Sequence, residues 1–169
     1  MMVKIIMIAA VDDTMGISRG GRIPWDVPGD RAFFRETTMG NPILVGLRTF
    51  ESWGGKTLPG RPCAVWTHHT DSLENVMNSE VDEPLKASDD LEGLLSWCQS
   101  FGKPVYACGG RQLYEAVFPM AAGLILSRIP GNYGCDLHFP DVPECFVLES
   151  SEACEGFDIE RYIRKSAIL

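Results

Sequence analysis

The feature that most constrains this chain is an apolar run at residues 3–11, VKIIMIAAV, which is rich in isoleucine and valine. Its apolar residues do not alternate with polar ones, which is typical of a central strand buried on both faces of a sheet. The run ends at Asp12 and Asp13 and shows no small-residue cleavage site. We therefore interpret it as a first strand and not as a signal peptide.

Strand-like and helix-like segments alternate along the rest of the chain. The segments near the C-terminus, 145–149 and 158–164, are typical of an antiparallel pair. This order predicts a single α/β domain over residues 1–169, with three layers: a central mixed, mostly parallel sheet, flanking helices and the C-terminal strand pair. The other predicted elements are strands at 42–46, 63–67, 104–108 and 123–129, and helices at 31–38, near 48–53, after an N-cap at Ser88, and from Gly109 to about Phe118.

Two segments are predicted to lie outside the core. Residues 12–25 contain three glycines and a proline and form a long loop, and such loops are often functional in compact domains. Residues 68–90 are polar and acidic, so we expect a peripheral region with a short strand near 85–87.

Charge and cysteine content exclude several classes of function. The 169 residues carry 23 acidic and 15 basic side chains, with no basic cluster, so we expect no nucleic-acid partner. No apolar run reaches about 18 residues, so no membrane span is expected. The six cysteines form no CxxC pair, which favours free thiols, a cytoplasmic location and no metal site.

Asp30 is the most informative single residue. It opens a predicted helix and lies four residues before Phe34, so both side chains share one helix face. Its carboxylate can therefore face an apolar cleft beside the Phe34 ring. Position alone favours a second interpretation, in which the carboxylate accepts hydrogen bonds from the N–H groups at the helix start.

Glycines mark two junctions where a strand leads into a helix. Gly109 and Gly110 follow one strand, and Gly46 follows another. Glycine permits close approach of the backbone, and helix N-termini attract phosphate. A tight structural turn alone would explain each glycine, but two such junctions in one sheet suit a dinucleotide lying across the strand ends.

Ordered short motifs over nearly the whole chain, apart from about 69–103, resemble those of the dihydrofolate reductase family. No single motif is specific, but the set in this order is very specific. The matching residues are Ala10-Val11-Asp12, Gly16, Ile23-Pro24-Trp25, Pro28, Asp30, Phe33-Phe34, Thr38, Gly46, Thr49-Phe50-Glu51-Ser52, Leu58-Pro59-Gly60-Arg61, Gly109-Gly110, Tyr114, Ser127-Arg128-Ile129, Asp136, His138-Phe139-Pro140 and 157–164.

The resemblance implies NADPH-dependent reduction of 7,8-dihydrofolate to 5,6,7,8-tetrahydrofolate, with hydride transfer to C6 and protonation at N5. Asp30 then holds the pterin, Ser127 supports that carboxylate, and Trp25 holds a water near the cleft. Arg61 matches the clamp on the α-carboxylate of the substrate's glutamate. The other implied substrate-binding residues are Met7, Ile8, Phe34, Trp53 and Leu58.

The resemblance also implies a set of cofactor-binding residues, and some of them depart from the family pattern. Leu47 stands where a basic residue is usual, so recognition of the 2′-phosphate rests on Arg48 and His68. Ile8, Cys108 and Trp53 also differ in size or type from the usual residues. The implied cofactor-binding residues are Ala10, Met15, Gly16, Gly46, Leu47, Arg48, Thr49, Thr67, His68, Cys108, Gly109, Gly110, Arg111, Gln112 and Leu113.

Two other functions stay open at this stage. One is the related reductase of riboflavin synthesis, which would lack the pairing of Asp30 with Phe34 and the Arg61 clamp. The other is a protein of the same fold that binds folate or serves a structural role with little turnover. On the leading interpretation the partners are dihydrofolate and antifolate inhibitors, and the chain is a monomer.

Overall fold

The computed structural model describes residues 3–77 and 81–165, and these form one sheet of eight strands with helices on both faces. The strands are β1 (Ile5–Val11), β2 (Gly16–Ser18), β3 (Ile43–Gly46), β4 (Cys63–Trp66), β5 (Leu85–Ser88), β6 (Val105–Ala107), β7 (Gly123–Arg128), β8 (Leu137–His138), β9 (Phe146–Cys154) and β10 (Phe157–Arg164). The helices are α1 (Pro28–Thr38), α2 (Leu47–Ser52), α3 (Thr70–Met77), α4 (Leu91–Gln99) and α5 (Arg111–Val117), followed by a 3-10 turn at Phe118–Met120.

The order of the strands in the main sheet is β5-β4-β3-β6-β1-β7-β10-β9. The first six strands in this order, from β5 through β1 to β7, run parallel to one another. Strand β10 pairs antiparallel with both β7 and β9. The mixed, mostly parallel sheet and the closing antiparallel pair are therefore confirmed. Strand β1 lies between β6 and β7, which explains why its sequence is apolar on both faces.

Alternating residues of β1 point into separate apolar clusters on the two faces of the sheet. Met7 is fully buried in the first cluster, which includes side chains of α4 and α5. Ile8 lies in the second cluster, which includes side chains of α1, α2 and α3. All six cysteines are free, and two of them, Cys63 and Cys98, have no exposed surface.

Three local predictions differ from the structure. The loop at 12–25 contains β2, which pairs with β8 as a separate two-stranded sheet, a contact between distant segments. Helix α3 lies in the region expected to be peripheral, and its residue Val76 is 5% exposed and packs in the second cluster. Asp90, and not Ser88, caps α4: its carboxylate accepts from Gly93 N at 3.1 Å, whereas the Ser88 hydroxyl accepts from Asp90 N.

No helix of the described residues is long and apolar enough to cross a membrane.

Candidate active site

The second apolar cluster packs side chains of α1 and α2 against the sheet. It brings together four of the residues expected to line a substrate pocket: Ile8, Phe34, Trp53 and Leu58. Met7 lies on the opposite face of β1 and is fully buried there, so its side chain does not reach this cluster. The alternation of side chains along a strand explains that error, because adjacent residues point to opposite faces.

Asp30 lies in the first turn of α1, on the face that it shares with Phe34. No backbone N–H of α1 donates to its carboxylate, and the N-cap position is held by Val27 without a side-chain hydrogen bond. Burial raises the pKa of Asp30 above its ordinary value, and a hydrogen bond from the Ser127 hydroxyl opposes that shift. The helix-capping interpretation of Asp30 is therefore wrong, and the carboxylate remains open to a ligand.

Ser127 is placed by the central strands of the sheet. It is 2% exposed on β7, where it pairs with Ala10 on β1 and with Ile159 on β10. The neighbouring strands fix its backbone, and its hydroxyl faces Asp30 on α1. A hydroxyl in this position can donate to the carboxylate and accept from a ligand.

Arg61 is a buried cation, only 4% exposed. Its Nε donates to Pro59 O at 3.0 Å, and its Nη1 donates to the Thr38 hydroxyl at 3.2 Å. That hydroxyl donates to Phe34 O at 2.8 Å, which ties the guanidinium to α1. Burial and the nearby Arg35 lower the pKa of Arg61, and no carboxylate of the described residues forms an ion pair with it. A buried cation held in this way suits an anionic ligand.

Trp25 ends the loop that follows β1 and packs in a third apolar cluster with Ile129, Phe157 and Ile159. Its ring is 8% exposed and meets the Tyr133 ring edge-on, with 5.4 Å between centroids. Within residues 3–77 and 81–165 its indole N–H has no hydrogen-bond partner, so it can donate to water or to a ligand.

The base of the same loop is held by Asp12, which the sequence shows only as a motif residue. Asp12 is 1% exposed. Its Oδ1 accepts from Thr14 N, the Thr14 hydroxyl and Gly16 N at 2.7–2.9 Å, and its Oδ2 accepts from Tyr133 N at 3.0 Å. Burial would raise the pKa of Asp12, but these hydrogen bonds outweigh it and hold the pKa well below its usual range.

The middle of the loop is tied to the segment that precedes β8. Asp136 accepts from Gly20 N at 2.9 Å and donates from its own N–H to Ser18 O at 3.1 Å. Gly16 leaves no room for a side chain, because a Cβ there would lie 2.4 Å from Cys135 Cβ. The hydrogen bonds to Asp136 and the close packing of Gly16 on Cys135 hold the loop against the segment that precedes β8.

The two glycine junctions lie side by side, because β3 and β6 are neighbours in the sheet. Gly46 N donates to Gly109 O at 2.7 Å, and the Gly109–Gly110 peptide is cis. A Cβ on Gly109 would lie 3.2 Å from the Tyr114 hydroxyl and 3.6 Å from Thr49 Oγ1, and it would fill the space between the junctions. Backbone N–H groups at such a junction suit the pyrophosphate of a dinucleotide.

The side chains expected at the far end of a dinucleotide are more exposed. Arg48 and His68 are both exposed, and the His68 ring contacts the Trp66 ring edge-on at 5.1 Å. Thr67 is 5% exposed, and its hydroxyl accepts from His69 N at 3.2 Å. Leu47 packs in the second cluster, so an apolar side chain occupies the position where a basic residue was expected.

The remaining residues expected to bind the cofactor differ in burial and in their contacts. Leu113 is 1% exposed and its side chain lies in the first cluster, so only its backbone can face a cofactor. Arg111 is paired with Glu115 at 2.9 Å, and Gln112 next to it is exposed. Burial raises the pKa of the Cys108 thiol. Ala10, Met15 and Gly16 lie at the end of β1 and the start of β2.

The described part of the chain contains no group of three or more histidine, cysteine, aspartate or glutamate side chains able to hold a metal ion. Of two further residues at the site, Thr38 was named from the sequence only as a motif residue and Tyr133 was not named at all. Each acts through a partner distant in sequence, Arg61 or Trp25, and no local pattern marks such contacts.

Asp30 lies on α1, Arg61 is hydrogen-bonded to α1 through Thr38, and the two glycine junctions lie at the ends of β3 and β6. This arrangement fits an α/β oxidoreductase that uses a dinucleotide. The family profile described as dihydrofolate reductase matches residues 4–163. The chain therefore belongs to the dihydrofolate reductase family of NADPH-dependent oxidoreductases.

Individual relatives agree with that assignment. The dihydrofolate reductase of Bacillus subtilis is 34% identical over 149 residues, which cover 88% of this chain and 83% of the relative. The dihydrofolate reductase HdrB of Haloferax volcanii is 28% identical over 172 residues, which cover 96% and 84% of the two chains. A solved structure of Enterococcus faecalis dihydrofolate reductase, complexed with NADP(H) and RAB-propyl, has a TM-score of 0.82 at 24% identity and covers 96% of this chain and 97% of that chain. This last likeness confirms the α/β fold.

Proposed function

We propose that this chain reduces 7,8-dihydrofolate to 5,6,7,8-tetrahydrofolate at a site between α1 and the sheet. The observation that carries the proposal is the joint placement of Asp30 and Arg61, both tied to α1. Asp30 has free accepting capacity, and Arg61 is buried without an ion-pair partner among the described residues. The two charges suit a ligand with hydrogen-bond donors at one end and a carboxylate at the other.

Asp30 is the proposed catalytic residue. Its carboxylate accepts hydrogen bonds from the ring N–H and the amino group of the pterin, and Ser127 holds the carboxylate in place. Because its pKa is raised, Asp30 retains a proton more readily than an ordinary aspartate does. That proton lies close to the bound pterin. Solvent delivers the proton that N5 gains, and Trp25 holds a water at the cleft through its indole N–H.

The rest of the substrate lies along the second apolar cluster. Ile8, Phe34, Trp53 and Leu58 contact the pterin and benzoyl groups, and Arg61 binds the α-carboxylate of the glutamate. Because Arg61 Nε and Nη1 are already held by the protein, its guanidinium is oriented before the ligand arrives. Such prior orientation reduces the entropy lost on binding.

NADPH supplies the hydride for C6 when it is bound. The residues of the two glycine junctions hold its pyrophosphate, with Thr49 beside them, and Ala10 and Met15 flank the nicotinamide. Arg48, Thr67 and His68 face the 2′-phosphate. Residues 16–25 of the loop at 12–25 exclude water from the nicotinamide, and the loop is held by Asp12 at its base and by Asp136 at its middle.

We further propose that the chain acts as a single domain and a monomer in the cytoplasm. Its partners are then small molecules, including antifolates that carry the same pattern of donors as the pterin, and not nucleic acid. The net charge of −8 supports the last point.

A steady-state assay with 7,8-dihydrofolate and NADPH tests the proposal. We expect NADPH oxidation with stoichiometric tetrahydrofolate formation. The matched controls are Asp30→Asn, which should abolish most turnover, and Asp26→Asn, which alters an exposed aspartate paired with Arg31 and should not. Dihydrofolate binding without turnover would favour the low-turnover binding protein, and absence of both would favour the riboflavin-pathway reductase.

A further inference from the structure

One peptide unit, between Pro59 and Gly60, forms hydrogen bonds on both of its edges. Its carbonyl oxygen accepts from Arg61 Nε at 3.0 Å. Its N–H, on Gly60, donates to Glu83 Oε1 at 2.7 Å. A peptide unit is planar, so the direction of the N–H fixes the direction of the carbonyl. The orientation of the Arg61 guanidinium is therefore connected to the Glu83 carboxylate through a single rigid plane.

The surroundings of this peptide leave it little freedom. Arg61 N donates to Leu58 O at 3.2 Å, which closes the turn, and Gly60 O accepts from Gly40 N at 3.1 Å. Gly60 has a φ of +75°, and a Cβ there would lie 2.8 Å from Met39 Sδ. The turn thus has one favoured conformation, and Glu83 contacts the peptide whose carbonyl accepts from Arg61 Nε.

Glu83 is itself held close to the sheet. It is half-buried, and the next residue, Pro84, accepts from Cys63 N at 2.9 Å where β4 meets the strand β5. Glu83 also lies close enough to Arg61 to raise the pKa of the guanidinium, against the effects of burial and Arg35. The carboxylate therefore lies behind the turn, bound to Gly60 N, and does not form an ion pair with Arg61.

We infer that Glu83 is a positioning residue for recognition of the substrate's carboxylate, acting on Arg61 through the Pro59–Gly60 peptide. This inference rests on the proposed role of Arg61. A charged acceptor on the N–H polarises the peptide and strengthens its carbonyl as the acceptor for Arg61 Nε. Glu83 does not touch the ligand. Through Glu83, the acidic segment before β5 takes part in substrate binding.

Glu83→Ala and Glu83→Gln separate this role from a general effect on folding. Loss of the acceptor in Glu83→Ala should raise the KM for dihydrofolate about three- to tenfold, the range of one ordinary hydrogen bond, while kcat and the KM for NADPH stay unchanged. Glu83→Gln keeps an acceptor for Gly60 N but removes its negative charge. Because a neutral amide polarises the peptide less than a carboxylate does, the KM of Glu83→Gln for dihydrofolate should lie between those of the wild type and Glu83→Ala.

Two controls make the outcome decisive. Asp82→Ala alters the exposed neighbouring carboxylate and should leave every constant unchanged. Dihydropteroate, which lacks the glutamate, should show the same KM with wild type and Glu83→Ala. A KM for dihydrofolate that is unchanged in Glu83→Ala, raised equally in Glu83→Gln, or raised together with the KM for NADPH overturns the inference. If Arg61→Leu also leaves the KM for dihydrofolate unchanged, the proposed clamp itself fails.

Discussion

The proposed substrate site beside α1 and the base of the loop at 12–25 both bury charge, but the two buried carboxylates have different hydrogen-bond partners. Asp12, at the loop base, is 1% exposed and accepts five hydrogen bonds from the protein, one of them from the Cys135 thiol. Asp30, in the proposed substrate site, is less buried and has the Ser127 hydroxyl as its partner within the described residues. The pKa of Asp12 is lowered, and that of Asp30 is raised.

Burial alone does not distinguish a carboxylate whose hydrogen-bonding capacity the protein uses from one that remains open to a ligand. Burial raises the pKa of both groups, and at Asp12 the hydrogen bonds outweigh that effect. A buried charge whose hydrogen-bonding capacity the protein already uses serves the fold. A buried charge with capacity left over, such as Asp30 or Arg61, is available to a ligand.

The largest expected effect follows from Asp30→Asn, which should lower kcat by about 10² to 10⁴, the range of acid–base contributions. The stability of the fold should stay the same or rise at pH 7, because a carboxyl with a raised pKa destabilises the folded state when it is charged. Steady-state kinetics and thermal unfolding measure the two effects. A near wild-type rate would contradict the role of Asp30.

Arg61→Leu should weaken dihydrofolate binding by about 2–5 kcal/mol, as when one partner of a buried charge pair is removed. NADPH binding and the unfolding temperature should change little. Calorimetric titration of each ligand checks the difference, with Arg31→Leu, which changes an exposed arginine, as the control. Equal losses for the two ligands would place Arg61 outside the substrate site.

Asp12→Asn should lower the free energy of unfolding by about 2–4 kcal/mol at pH 7, because it disturbs several hydrogen bonds to a charged acceptor. The stabilisation by Asp12 is fully present above the pKa of an unfolded aspartate, about 3.9. It is lost as pH falls through the lowered pKa of the folded state. Urea unfolding should therefore show a constant gap from wild type near neutral pH and a smaller gap in strong acid.

The exposed Asp13, which accepts one hydrogen bond from Gly131 N, gives the matched control for that experiment. Asp13→Asn should change the free energy of unfolding by much less. If the two variants lost equal stability, full use of hydrogen-bonding capacity would not mark a structural charge, and the contrast with Asp30 would fail.

The smallest effect is expected at the far end of the cofactor site. Arg48→Leu should reduce the kcat/KM ratio of NADPH to NADH on the order of fivefold, and His68→Gln by less, since water screens both exposed side chains. Lys56→Leu, which removes another exposed cation, is the control. An unchanged ratio in Arg48→Leu would move phosphate recognition to other residues.

Most of the sheet could be predicted from the sequence because its strands are buried on both faces. A run such as residues 3–11 has few alternatives to a central strand, and β1 lies between β6 and β7 as expected. Helix α3 and strand β2 were not predicted, because no continuous apolar run marks either of them. They are short and depend on contacts with distant segments, such as the pairing of Gly16 with His138.

Candidate site residues could be named from the sequence where the residue type suggests a role. They could not be named where the role depends on a contact between distant residues. Asp30 and Arg61 were identified from motifs resembling a family, and the structure places both on the same side of the sheet, tied to α1. The face of Met7 and the connection of Glu83 to Arg61 depend on strand register and on the fold of a turn. Neither leaves a pattern in the sequence.

The reactivity of the two fully buried thiols, Cys63 and Cys98, can report how often the protein opens locally. Cys63 lies on β4 in the second apolar cluster, and Cys98 lies on α4 in the first. Burial raises the pKa of each to about 12, so neither reacts with alkylating reagents while its cluster stays closed. The rate at which each becomes modified therefore measures how often that side of the sheet opens, and mass spectrometry of the two sites distinguishes separate openings from a single cooperative one.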